Sequence, residues 1–130
     1  MLHLIARDNG RRLRGAVACA RGRMGEEAVI AEYTRSGYRL LAHRWRGKAA
    51  EIDLIFIGDD GIVFVEVKAA STHDIAAVRL SRRQMDRICL SASEFVDSMP
   101  AGQLTEMRFD AALVDDLGRV EVLQAAFGMN

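Results

Sequence analysis

Proline occurs once in 130 residues, at Pro100, and no internal repeat or linker divides the chain. That length suits one domain around one core. Cysteine occurs twice, as Cys19 and Cys89. Neither lies in a Cys-x-x-Cys pair, and His3, His43 and His73 are equally scattered. This spacing gives no basis for a structural zinc site, a disulfide framework or thiol chemistry, and two lone cysteines fit a reduced, cytosolic protein. No apolar run reaches the roughly 18 residues that a membrane helix needs. Met1 to Ala6 is too short, and too quickly followed by arginines, for a secretory signal. The expectation is a soluble cytoplasmic protein with no membrane partner.

Lysine is scarce too: Lys48 and Lys68 stand against sixteen arginines. Net charge is zero but uneven. Residues 1–23 carry six arginines (Arg7, Arg11, Arg12, Arg14, Arg21 and Arg23) against Asp8 alone, or +5. The remainder holds 12 basic and 17 acidic residues, or −5. The expected organisation is a basic arm over 1–21 and a domain over 22–130. Such an arm suits a polyanion partner, and it equally suits a solvated leader with no partner. The charge pattern leaves both open.

Apolar periodicity and turn residues predict a helix from about Glu26 to Arg35, closed by Ser36-Gly37. A strand over Tyr38 to Arg46 follows, with Arg44, Arg46 and Lys48 on one side by period-two alternation. Two more strands, Glu51 to Ile57 and Ile62 to Ala69, are joined by the turn Gly58-Asp59-Asp60-Gly61. Ser71 to Val78 is expected as a loop and Leu80 to Met99 as a helix. Met107 to Val114 and Arg119 to Gln124 are the last strands. The fold class is α/β, in the order α-β-β-β-α-β-β, with a sheet flanked by helices.

The middle hairpin carries the chemistry. If it is symmetric about the Asp59–Asp60 bond, Asp53 falls opposite Glu66 and Glu51 opposite Lys68. Opposed Cβ atoms stand roughly 4.5–5.5 Å apart, close enough for two carboxylates to share a cation. In the third strand Val63, Val65 and Val67 line one face, and Ile62, Phe64, Glu66 and Lys68 line the other. Both faces begin apolar, as in a strand covered on both sides. Opposed like charges there cost several kcal/mol unless something positive lies between them. Mg²⁺, held by one or two carboxylates plus water and substrate oxygens, meets that need. Lys68, two residues from Glu66, points to the same side and suits either charge developing on a phosphate or positioning of the attacking water. A lone Glu-x-Lys would describe only a polar strand end; the opposed aspartate favours a site.

Around the hairpin, Glu26 shares a helical face with Val29, Ile30 and Tyr33, at spacings of three, four and seven, whereas Glu27 does not. Spacing alone fits a site role or a helix-dipole role equally. Gln84 lies mid-stripe among Leu80, Ile88, Ser91 and Phe95 and needs a polar partner, in the site or in the core. Arg79, Arg83 and Arg87 flank that stripe and suit a phosphate backbone or a solvated helix edge. Arg44, Arg46 and Lys48 form a second candidate contact. Asp110, inside an apolar strand, is expected to be a structural hydrogen-bonding acid, and His73 to be incidental.

These residues carry a family resemblance. Gly25-Glu26, Gly37-Tyr38, Glu51-Ile52-Asp53-Leu54-Ile55, Val63-Phe64-Val65-Glu66-Val67-Lys68, Arg108-Phe109-Asp110 and Ala126-Phe127 resemble the YraN-like family of uncharacterised bacterial proteins. That family is similar to Holliday junction resolvases, in the PD-(D/E)xK superfamily. The resemblance runs from Gly22 to Phe127. It implies a restriction-endonuclease-like core with a mixed five-stranded sheet. It also implies a metal held by Asp53, Glu66 and the Val67 carbonyl, with Lys68 and Glu26 completing the catalytic set. The chain departs from the family pattern at Ala50 (usually Gly), at Ala70 (commonly Arg) and at Arg83 (usually Lys before Gln).

The leading expectation is therefore a Mg²⁺-dependent endonuclease, with Mn²⁺ as the alternative metal, that hydrolyses phosphodiester bonds of structured or branched DNA. Arg44, Arg46, Arg83 and Gln84 are the expected nucleic-acid contacts. A two-stranded substrate would suit a homodimer. A nucleic-acid-binding protein that keeps the fold without cleaving is the second reading. A structural domain whose acids bind a stray cation is the third.

Overall fold

The computed structural model describes residues 22–128. The basic segment over 1–21, with Cys19, and the last two residues lie outside that range. A helix over 22–35 (α1) leads into three strands, β1 (Arg39–Arg46), β2 (Glu51–Gly58) and β3 (Gly61–Ala69). Two helices follow, α2 (His73–Val78) and α3 (Arg82–Val96), then a short 3₁₀ turn at Gly102–Leu104. The strands β4 (Met107–Val114) and β5 (Val120–Phe127) end the domain. No helix among the described residues is long and apolar enough to cross a membrane.

The sheet order is β1-β2-β3-β4-β5. Neighbours are antiparallel except β3 and β4, which run parallel. Parallel neighbours need a long crossover, and α2 with α3 supplies it. The result is the expected mixed five-stranded α/β sheet flanked by helices. The hairpin register is also the symmetric one, with Leu54 on Val65, Ile55 on Phe64 and Phe56 on Val63.

Each sheet face is covered. Val29 and Tyr33 of α1 pack with Leu54, Phe56, Val63, Val65, Ala112 and Val114. On the other face Ile88, Cys89, Ala92 and Val96 of α3 pack with Ile52, Ile55, Ile62, Phe64 and Phe109. Burial on both sides explains why β2 and β3 are nearly unbroken apolar runs. Cys89 is a buried free thiol, and burial pushes its pKa up.

Two elements differ from expectation. Residues 71–78, expected as a loop, contain α2. Thr72 caps it by accepting the Ile75 N–H, and fully buried Ala76 packs with Ala70 and Leu113. Six residues are too few to display a helical period, so tertiary burial decides this element. The helix α3 is shorter than Leu80 to Met99. Ser81 stops it at one end by accepting the Gln84 N–H, the arrangement of an N-cap.

The hairpin turn depends on Gly61, whose φ is +113°. A Cβ there would lie 2.4 Å from the Glu106 carbonyl oxygen, which accepts the Ile62 N–H. Gly61→Ala is expected to cost roughly 1–3 kcal/mol from backbone strain alone, with the clash adding to it. Urea unfolding checks this. A midpoint equal to that of the wild type would refute the positive-φ account.

Candidate metal and phosphate site

The site begins where β2 leaves β3. Their paired ladder ends at Leu54–Val65, so Asp53 and Glu66 stand one step beyond it. Asp53 fills the gap with its side chain, Oδ2 accepting the Val67 N–H at 2.8 Å. In an extended strand one residue's N–H and C=O point to the same edge. The Val67 carbonyl is therefore directed toward β2, on the side of Asp53. Lys68 Nζ lies 3.1 Å from Glu66 Oε1. The expected Glu51–Lys68 pairing does not form, because the strands have parted. Glu51 instead faces Arg46 at 3.5 Å.

The two carboxyls are crowded and poorly hydrated; Glu66 is only 5% exposed. Its pKa is pushed up to about 7, first by burial and next by the negative charge of Asp53, with Lys68 opposing. Asp53 is also raised, mainly by burial; the Val67 N–H and Lys68 pull it down and Glu26 pushes it up. Both carboxyls are therefore shifted upward, and the two titrate as one coupled pair. Ionising both acids would leave two negative charges in this poorly hydrated place, of which Lys68 offsets one. This donor set suits a hard cation. Among the described residues no three His, Cys, Asp or Glu side chains converge to cage a metal alone. Two carboxylates and a carbonyl fit an ion that keeps several waters, as Mg²⁺ does.

Glu26 reaches this region from α1. It is buried while Glu27 is exposed, as the helical stripe predicts. Its carboxylate meets His43 Nε2 at 2.5 Å and accepts from Arg44 Nη2 at 3.1 Å. Adjacent strand residues normally face opposite ways, yet both reach Glu26. The cause is Arg44, whose φ is +54°. His43 pairs with Leu54, whose side chain packs beneath α1, and Trp45 pairs with Ile52, which packs beneath α3. Between those pairs the alternation resets. Arg44 consequently turns to Glu26 and does not share a side with Arg46 and Lys48, contrary to the period-two expectation. His43 was missed for the same reason, since nothing in its spacing signals the reset.

The other expected contacts disperse. Arg46 and Gln84 line one open cleft of about 410 Å³, together with Lys48 and Arg87. Arg83 is exposed on α3 and does not line it. Asp110 is fully buried and structural, accepting from Tyr33, Arg108 and the Ala125 N–H. His73 ties α2 to the β4–β5 turn through the Arg119 carbonyl at 2.8 Å.

A mixed sheet whose central hairpin splays around a buried glutamate, a half-buried aspartate and a lysine defines an α/β domain with its acidic cluster at the strand ends. Residues 25–114 match the model of the uncharacterised protein family UPF0102. The chain belongs to that family, the YraN-like group. A UPF0102 protein of Cereibacter sphaeroides strain KD131 is 54% identical over 113 residues, 87% of this chain and 97% of the relative. One from Ruegeria pomeroyi is 50% identical over 107 residues, 82% and 87% of the two chains. A third, from Roseobacter denitrificans, is 45% identical over 122 residues, 94% and 95% of the two chains.

Proposed function

We propose that this protein is a Mg²⁺-dependent endonuclease that hydrolyses phosphodiester bonds of structured or branched DNA, with Mn²⁺ as the alternative metal. The observation that carries the reading is half-buried Asp53 and buried Glu66, beside Lys68, where β2 and β3 diverge. Asp53 and Glu66 would hold the ion with the Val67 carbonyl, and the Val67 N–H would fix the Asp53 rotamer. The ion would supply a water of lowered pKa and neutralise phosphate oxygens. Lys68 sets an ammonium beside the pair, where it would stabilise charge developing on the phosphorane. Glu26, gripped by His43 and Arg44, would order water at the attacking side. Arg44, Arg46, Arg83 and Gln84 would meet the nucleic acid, and a homodimer would suit two strands.

The test is cleavage of labelled four-way junction, flap, duplex and single-stranded DNA with Mg²⁺ or Mn²⁺. Metal-dependent cleavage favouring branched substrates is expected, and Lys68→Ala should lower it by roughly 10²–10³-fold. Equal activity in that variant would identify a contaminant and end the catalytic reading. One observation favours a DNA-binding protein without turnover: Glu26 is already engaged by two cationic-type partners. Tight binding of the same DNAs with no products under either metal would establish that alternative.

A further inference from the structure

The cleft of about 410 Å³ lies between the β1–β2 connection and the first half of α3. Among the described residues three cations line it, Arg46, Lys48 and Arg87, against one carboxylate, Glu51. Its wall is firmly built. Ser91 Oγ both accepts from the Ala50 N–H and donates to the Ala50 carbonyl, each at 2.8 Å. The Lys48 N–H donates to Glu94 at 2.9 Å, and Arg87 Nε donates to the Ala49 carbonyl at 3.0 Å. The connection lies so close to α3 that a Cβ on Gly47 would come 2.5 Å from Ser91 Oγ. Anchored through Nε, Arg87 keeps its two Nη groups, a fork suited to phosphate oxygens. Lys48 adds an exposed point charge.

We infer that this cleft is a preformed seat for a backbone phosphate of duplex DNA, a deepening that rests on the nucleic-acid reading above. The ligand class follows from the lining. Among the described residues no aromatic side chain lines the cleft, whereas single strands are held largely by base stacking on aromatic rings. Cations without a stacking platform read the backbone and carry no base preference. The position is also informative. Glu51 at the cleft edge is two residues from Asp53 along β2, roughly 7 Å, or about two base-pair rises along a duplex axis. A duplex arm seated here lies beside the carboxyl pair.

The experiment uses the full chain in EDTA. Fluorescence polarisation follows a labelled duplex and the matching single strand across a salt series. Wild type should prefer the duplex. Lys48→Gln and Arg87→Gln should each weaken duplex binding roughly five- to tenfold and lower the salt slope by about one. Arg35→Gln, an exposed arginine on α1 that pairs with Glu32, should change neither. Lys48 is exposed, so its variant tests the seat even if Arg87→Gln disturbs folding. Unchanged affinity and slope in Lys48→Gln, with wild-type binding intact, overturns the seat and leaves the nuclease reading standing. Equal wild-type affinity for single strand and duplex overturns the duplex assignment. Failure of wild type to bind either DNA overturns the nucleic-acid reading and the seat together.

Discussion

In metal-free buffer at pH 8, Glu66→Gln is expected to be more stable than wild type by on the order of 3 kcal/mol, and to gain nothing from Mg²⁺. The folded-state pKa of Glu66 is raised from an ordinary 4.5 to about 7. Between those values the folded protein holds a proton that the unfolded chain has released, so stability falls as pH rises. The favourable contribution is complete below about pH 4.5 and lost above about pH 7. Asp53 is shifted in the same direction and adds to the slope. Glutamine mimics the protonated form and removes the Glu66 part, while Lys68 keeps Asp53 as its counter-charge. Mg²⁺ should reverse the loss in wild type above pH 7, by about 2.7 kcal/mol at a hundredfold excess over its Kd. Urea denaturation from pH 4.5 to 8, with and without Mg²⁺, reads all of this. A flat wild-type profile, or a Mg²⁺ shift that survives in the variant, would sink the shared-cation account. A lost slope without DNA cleavage would separate the ion site from the catalytic proposal.

The second large effect lies away from that site. Asp110→Ala is expected to destabilise the domain by roughly 3–5 kcal/mol and to lower its melting temperature by roughly 10–20 °C. Asp110 Oδ2 accepts from the Tyr33 hydroxyl at 2.6 Å and Arg108 Nη2 at 3.1 Å. Oδ1 accepts from Arg108 Nε at 2.9 Å and the Ala125 N–H at 3.0 Å. One carboxylate thus joins α1, β4 and β5, and Arg108 extends the network to Asp60 in the hairpin turn at 2.8 Å. Burial, followed by the bond to Asp110, holds the Tyr33 phenol well above its usual range, so it stays a neutral donor. Alanine would leave the Arg108 Nε, the buried Tyr33 hydroxyl and the Ala125 N–H without their acceptor, with Asp60 the remaining carboxylate on Arg108. Tyr33→Phe removes one donor only and should cost roughly 1–2 kcal/mol. Calorimetric melting of both variants gives the ordering. Equal losses would show that the Tyr33–Asp110 bond carries the whole effect and that the Asp110 links to Arg108 and Ala125 add nothing.

Much of this was legible in one dimension. Gly58-Asp59-Asp60-Gly61 permits a tight symmetric turn, so the pairing of Leu54 with Val65 followed from counting. Strict alternation after Ile62 set Glu66 and Lys68 on one face because β3 is regular throughout. Glu26 was separable from Glu27 because α1 keeps an unbroken helical period. These features depend on neighbours a few residues apart, where backbone geometry alone relates side chains. The period-two assignment of Arg44 failed for the complementary reason: one residue at φ +54° resets the alternation, and arginine advertises no positive φ.

The sequence by itself determined the α/β class, the hairpin register and the shared face of Glu66 and Lys68, since strand and turn chemistry are local. Only the tertiary structure decided that β2 parts from β3 after Leu54, leaving Asp53 to take the Val67 N–H and Lys68 to pair with Glu66 and not Glu51. It also brought His43 and Arg44 onto Glu26, and Arg87 onto the Ala49 carbonyl 38 residues away. Those arrangements depend on how two helices press on opposite faces of a twisted sheet. Packing of that kind joins residues that no local period relates.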